Sequence, residues 1–207
     1  MVSLAAGEVL YNPGGDVNTV YFPCEGSAIC FVVAIEDGHE VDVPLIGREG
    51  AAGGIVSHGR LPAFSRIEVR LGRLPVSRIQ AAKEKSSTFS NVFARYSDCL
   101  LAQILQSSAC NAAHSIEQRA AKCILAATAR TGGQTIPFGH AQPAAMLGVG
   151  RSYATRIIRD FSAKRILRTG RMELEVLDPS ALRSKSCNCD EAVKSHFTDV
   201  LRGVYPP

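Results

Sequence analysis

Arginines crowd the stretch that follows residue 150. Arg151, Arg156 and Arg159 fall at the spacing of one helix face, Ser152 stands beside the first, and Lys164, Arg165, Arg168 and Arg171 follow. A planar guanidinium fork can bond guanine O6 and N7 together, and one too far from a base still neutralises phosphate. The chemistry open to this stretch is therefore the binding of a polyanion. Arg151, Ser152 and Arg156 face base edges in that reading, whereas Arg159, Lys164, Arg165, Arg168 and Arg171 face phosphates. The charge distribution agrees: residues 1–135 carry twelve basic and twelve acidic side chains, residues 136–185 carry nine and four, and the remainder is net negative by one.

Other chemistries are poorly provided for. There is no nucleophile elbow, phosphate loop or zinc-protease motif, and no carboxylate pair stands out from ordinary surface charge, so no catalytic residues and no enzyme are expected. His39, His58, His114, His140 and His196 lack the paired spacing that metals require. Cys187-Asn188-Cys189, with His196 further on, offers one close pair, but a tetrahedral site needs two more ligands. The expectation is no metal and no bound cofactor. Seven scattered cysteines, an odd number, suit a reducing compartment better than a disulfide framework. The longest apolar run, 29–35, is far short of the roughly 20 residues that cross a bilayer, and no secretory signal is recognisable. The expected setting is the cytoplasm, without membrane contact.

The arginines need an element to hold them. In Ala144-Ala145-Met146-Leu147-Gly148-Val149-Gly150-Arg151, small Ala144 allows two helices to approach, Gly148 supplies the turn, and Leu147, Val149 and Ile157 fill the shared core. The second helix, about 151–161, buries Ala154, Ile157, Ile158 and Phe161. After it, Ile166-Leu167-Arg168, Thr169-Gly170 and residues 171–177 read as a hairpin with Met172, Leu174 and Val176 on one face, the wing of a winged helix. Gly139 and Pro143 disturb the leading helix, because proline past the first turn removes a hydrogen bond and delays the helix start.

Residues 7–74 follow a different grammar. Short β-type runs are separated by Asn12-Pro13-Gly14-Gly15, Glu25-Gly26-Ser27, Glu36-Asp37-Gly38 and Gly53-Gly54, and the runs 29–35 and 41–46 flank Asp37-Gly38 as a hairpin would. No helices intervene, so the strands are expected to be antiparallel. From about residue 87 the period becomes 3.6. Phe89, Val92, Phe93, Tyr96, Leu100 and Ile104 form one apolar stripe on a helix reaching about Cys110, which the pattern assigns to a homodimer seam. Ser115-Ile116-Glu117-Gln118 has the form of a capping box opening a second helix, which Thr131-Gly132-Gly133 ends.

Four stretches together resemble the Crp/Fnr family of bacterial transcription regulators along almost the whole chain. They are Gly7-Glu8-Val9-Leu10-Tyr11-Asn12-Pro13-Gly14 with Tyr21-Phe22-Pro23; Gly47-Arg48-Glu49-Gly50; Ala109-Cys110-Asn111 with residues 114–119; and residues 146–152. The resemblance implies an α+β chain: an N-terminal antiparallel β-roll of the cyclic-nucleotide-binding type, a long dimerisation helix, and a C-terminal winged helix-turn-helix. It divides the chain into a β-roll sensor (1–75), a linker and dimerisation helix (76–112), a winged-helix DNA-binding domain (113–186) and a C-terminal tail (187–207). Double-stranded DNA with two-fold symmetric sites, a second copy of the chain and RNA polymerase are the implied partners, and Arg151, Ser152 and Arg156 occupy the base-contacting positions.

Departures from the family pattern bear on function. Gly139 and Pro143 replace a capping residue and a leucine, and Ser152 replaces a glutamate, so a less selective hydroxyl stands where a carboxylate reads cytosine N4. The chain begins close to the first roll strand, which suggests a shortened or late-started lead, and Cys24 and Cys30 do not stand in for a cysteine cluster there. Cyclic-nucleotide binding in the family uses a Gly-Glu step and an arginine about a dozen residues on. Here Gly53-Gly54 occupies the step, Arg66 is the phosphate candidate and Arg60 its substitute. Tight cyclic AMP binding is not expected, and the sequence identifies no other effector. A second reading keeps the fold but takes Gly139 and Pro143 as a lesion, leaving a ligand-binding or protein-interaction module whose winged helix has lost DNA affinity.

Overall fold

The short apolar runs in the front of the chain pair as antiparallel sheet. The structure is a computed structural model and describes residues 2–5, 7–17, 19–24, 26–36, 39–53, 62–71, 74–76, 87–137 and 142–204. Ala28–Ala34 (β3) and Glu40–Ile46 (β4) pair as the hairpin that the runs 29–35 and 41–46 predict, with Cys30 opposite Leu45 and Val33 opposite Val41. Arg66–Leu71 (β5) pairs with the other edge of β3, and Val9–Tyr11 (β2) pairs with β5, giving the order β2-β5-β3-β4. Val2–Leu4 (β1) and Leu74–Val76 (β6) form a separate antiparallel pair. Ile29, Ile46, Ile67 and Val69 close the roll core, and the central strand β3 is buried over Ala28, Ile29 and Cys30 in succession.

No glycine or proline interrupts Ser87–Ala113 (α1), so one helix runs the full length. It ends where Ser115 turns extended (φ −63°, ψ 156°) and caps Ile116–Thr131 (α2). Ser115 Oγ accepts from the Gln118 N–H, and the Gln118 side chain accepts from the Ser115 N–H, as the capping box predicts. Gly132, left-handed at φ 71°, closes α2 by donating to the Thr128 carbonyl.

The apolar stripe on α1 is not the free seam that its period suggested. Phe93 and Tyr96 are buried in their own chain with Val20, Ala51, Cys99 and Leu201. Phe22 meets Phe93 edge-on at 6.2 Å and Phe197 meets Tyr96 at 6.3 Å. Val92 and Leu100 are half-buried, and the Phe89 side chain lies outside what is described. The cause is Cys189–Val200 (α6), a helix formed by the stretch assigned to the tail, which packs along α1 and covers this side. The exposed apolar ridge is Leu101, Leu105 and, from the original stripe, Ile104. Tyr96 also explains the glycine at position 50: its hydroxyl donates to the Ala51 carbonyl at 3.2 Å, and a methyl group on Gly50 would fall 2.0 Å from that oxygen.

The back half packs Gln142–Leu147 (α3), Arg151–Ala163 (α4) and Pro179–Lys185 (α5) around Phe161, Ile124, Leu174 and Leu182. Leu167–Thr169 (β8) and Glu173–Val176 (β9) form the expected hairpin. Thr135–Pro137 (β7), too short to show a period, adds a third strand in the order β7-β9-β8. Leu174 and Val176 are buried, but Met172 precedes β9 and is exposed. Among the described residues no helix is long and apolar enough to cross a membrane.

Candidate nucleic-acid interface

The turn between α3 and α4 is built as the residues require. Gly148 is left-handed at φ 61°, Val149 N–H donates to the Ala144 carbonyl at 3.2 Å, and Gly150 in extended backbone starts α4. Arg119 of α2 donates to the Leu147 carbonyl at 2.7 Å and satisfies the end of α3. Pro143 does not interrupt this helix. The helix starts at Gln142, which leaves Pro143 buried in the first turn, where its missing N–H has no intrahelical partner to lose. Gly139 lies outside the described residues.

Helix α4 is sharply two-sided. Ala154, Ile157, Ile158 and Phe161 are buried, whereas Arg151, Ser152, Arg156 and Arg159 are exposed. Tyr153 and Thr155, which the sequence reading passed over, are exposed near the same helix start. The Arg156 guanidinium lies 4.6 Å from the Tyr153 ring centroid, a cation–π contact between two exposed side chains. An aromatic three residues before an arginine on a helix was the available signal. Lys164, Arg165 and Arg171 are exposed around the end of α4 and the wing tip. Arg168 is exposed too but forms an ion pair with Glu175 directly across the β8–β9 ladder, so its charge is shared.

Residues 118–185 match the Crp-like helix-turn-helix domain. The chain superposes on a CRP-family transcriptional regulator from Thermus thermophilus with a TM-score of 0.74 at 16% identity, covering 89% of this chain and 96% of that one. FixK2 from Bradyrhizobium japonicum gives 0.73 at 13% identity, covering 90% and 96%. A second Thermus thermophilus regulator, of the CRP/FNR family, gives 0.66 at 21% identity over 88% and 96%. This is the fold of the Crp/Fnr transcription regulators. No curated protein sequence matches the chain.

Within this Crp/Fnr fold the expected effector residues are otherwise engaged. Arg66 is held by Glu40, whose hydrogen bond raises the guanidinium pKa further, and by Glu68 at 3.0 Å. Gly53, at φ 91°, is closed over by the Thr19 carbonyl, which a methyl group there would meet at 2.3 Å, and by Tyr11. Gly54 and Arg60 lie outside the described residues. The two halves meet elsewhere. The Glu49 carboxylate accepts from the Gly47 N–H at 3.0 Å and from Arg130 Nε of α2 at 2.8 Å, while α3 and its turn lie against β4. A cavity of about 540 Å³ separates β4, α1, α2, α3 and the start of α6, with Arg119, Lys122, Arg130, Asp42 and Asp190 on its walls.

The isolated cysteine pair of the C-terminal stretch acquires company. Cys110, on the last turn of α1, and His114, just past its end, stand against Cys187 and Cys189, supplying from a distant part of the chain two further ligands that the chain spacing did not show. His196 is not among them and pairs with Asp98 at 3.1 Å. Burial raises the Cys110 thiol to about 11 despite Lys122 beside it. Cys187 is buried as well, but hydrogen bonds from the Cys189 backbone and the Cys110 thiol outweigh that burial and lower its pKa.

Proposed function

We propose that the protein is a sequence-specific DNA-binding transcription regulator that grips an inverted-repeat operator as a homodimer and is not controlled by cyclic AMP. The two-sidedness of α4 carries this reading: four hydrophobic side chains fix the helix while Arg151, Ser152 and Arg156 stand clear at its start. They read bases, with Tyr153 supporting Arg156. Arg159, Lys164, Arg165 and Arg171 hold phosphates, and Arg168 does so by sharing its charge with Glu175. The exposed ridge of Leu101, Ile104 and Leu105 supports pairing of two α1 helices about a two-fold axis, which sets recognition helices about 34 Å apart. RNA polymerase is the further partner proposed. A small-molecule effector would suit the cavity between the halves better than Arg66 and Gly53, which are already occupied by protein groups.

The test is equilibrium binding to DNA spanning the protein's own upstream region as salt is raised. Affinity should fall steeply, because each phosphate contact releases counterions. Arg151→Ala should reduce preference for the operator by about 1–3 kcal/mol, whereas Arg171→Ala should weaken all sequences alike. Absence of binding at low salt would instead favour the interaction-module reading, although Pro143 in the first turn of α3 gives that reading little footing.

A further inference from the structure

Behind the joint between α1 and α2, four side chains from distant parts of the chain converge on one point. Cys110 lies on the last turn of α1 and His114 just past its end, where the His114 N–H still donates to the Cys110 carbonyl at 3.0 Å, so the helical spacing of four brings their side chains to one face. Cys187 and Cys189 flank exposed Asn188 where α5 hands over to α6. The three Sγ atoms and one His114 ring nitrogen all lie within 4.8 Å of one another. Cys110 Sγ to Cys187 Sγ is 3.6 Å, and Cys189 Sγ to His114 Nδ1 is 3.6 Å. A tetrahedral zinc ion with its usual bond lengths requires S···S edges of about 3.8 Å and S···N edges of about 3.6 Å. A disulfide would need its sulfurs at roughly 2.0 Å, far closer than the 3.6 Å observed.

The surroundings fit a metal thiolate. Three thiolates and a neutral imidazole around a divalent cation carry one net negative charge, and the Lys122 ammonium lies 3.3 Å from Cys110 Sγ to balance it. Cys110 and Cys187 are buried, while Cys189 and His114 are half-buried. The set is therefore shielded yet reachable by an ion. The donor set also discriminates: three sulfurs and a nitrogen favour a borderline-soft cation over magnesium or calcium, which take oxygen.

We infer that Cys110, His114, Cys187 and Cys189 form a tetrahedral site for one thiophilic divalent cation, best matched by zinc, which staples the end of α1 to the link between α5 and α6. Loading forms three metal–sulfur bonds and one metal–nitrogen bond, releases up to three thiol protons to solvent and moves no electrons. The staple spans the joint at Ser115 by which the winged helix hangs from α1. An occupied site holds that joint in one geometry. The site stands whether or not the winged helix reads DNA.

The test uses the full-length, reduced protein, stripped with chelator and titrated with cobalt(II). The expected result is one cobalt per chain, with thiolate charge-transfer absorption and the strong visible bands of tetrahedral cobalt, both abolished by zinc. Cys189→Ser should weaken cobalt binding by well over about 100-fold, beyond the roughly 10–100-fold that loss of a merely supporting neighbour costs. Cys24→Ser, at an exposed cysteine away from the cluster, should leave it unchanged. Chelator should lower the melting temperature of the parent protein and of Cys24→Ser but not that of Cys189→Ser. A weak octahedral cobalt spectrum, no uptake, or a Cys110–Cys187 disulfide in the anaerobically purified protein would overturn the proposal.

Discussion

Arg165 is held at φ 56°, the one left-handed non-glycine among the described residues, as the chain leaves α4 for the wing. A side chain in that region costs about 1 kcal/mol or more. Arg165→Gly should therefore raise stability to denaturant by about 1 kcal/mol while lowering affinity for DNA of any sequence, because a phosphate contact is lost. A loss of stability, or unchanged affinity, would contradict the assignment. Arg66 and Gly53 give the second prediction at this scale. With the guanidinium held by two carboxylates and the glycine closed over by Thr19, calorimetric titration with cyclic AMP should show no micromolar binding. The outward set on α4 was legible because helical period alone separates Arg151 and Arg156 from Ile157 and Phe161. The meeting of Cys110 and His114 with Cys187 and Cys189 was not, since it depends on tertiary contacts between segments more than seventy residues apart.

At the scale of elements, the distinction between the two sides of α1 matters most. Period showed that Phe93 and Tyr96 belong to an apolar stripe but did not say what covers it, because α6 comes from the far end of the chain. The covered and open sides make opposite predictions. Leu105→Asp, on the open ridge, should give a folded monomer with reduced DNA affinity, read by sedimentation and circular dichroism. Phe93→Ala, on the covered side, should instead cost about 3–5 kcal/mol of folding stability and leave the remaining folded protein dimeric. Helix ends were more legible than helix partners: the capping box at Ser115 and the left-handed Gly132 act locally and need no tertiary help.

At the scale of the whole molecule, the front and back halves are coupled by Glu49 and Arg130 and by the seating of α3 on β4. Both side chains of this ion pair are half-buried, so neutralising one leaves the other only partly compensated by water. Glu49→Gln should loosen the docking by about 1–3 kcal/mol, seen as faster hydrogen exchange at the joint around Ser115 while the roll core stays protected. Faster exchange in the roll core with the joint unchanged would show instead that Glu49 serves the roll alone. The basic stretch 136–185 and the neutral front half fit the proposed contact with DNA through the winged helix. The most direct test of that central claim is selection of bound sequences from a random DNA pool by the purified protein. The expected result is an inverted repeat whose half-sites are centred about one helical turn, or 34–36 Å, apart. Enrichment of unsymmetrical single sites, or no enrichment at low salt, would contradict it.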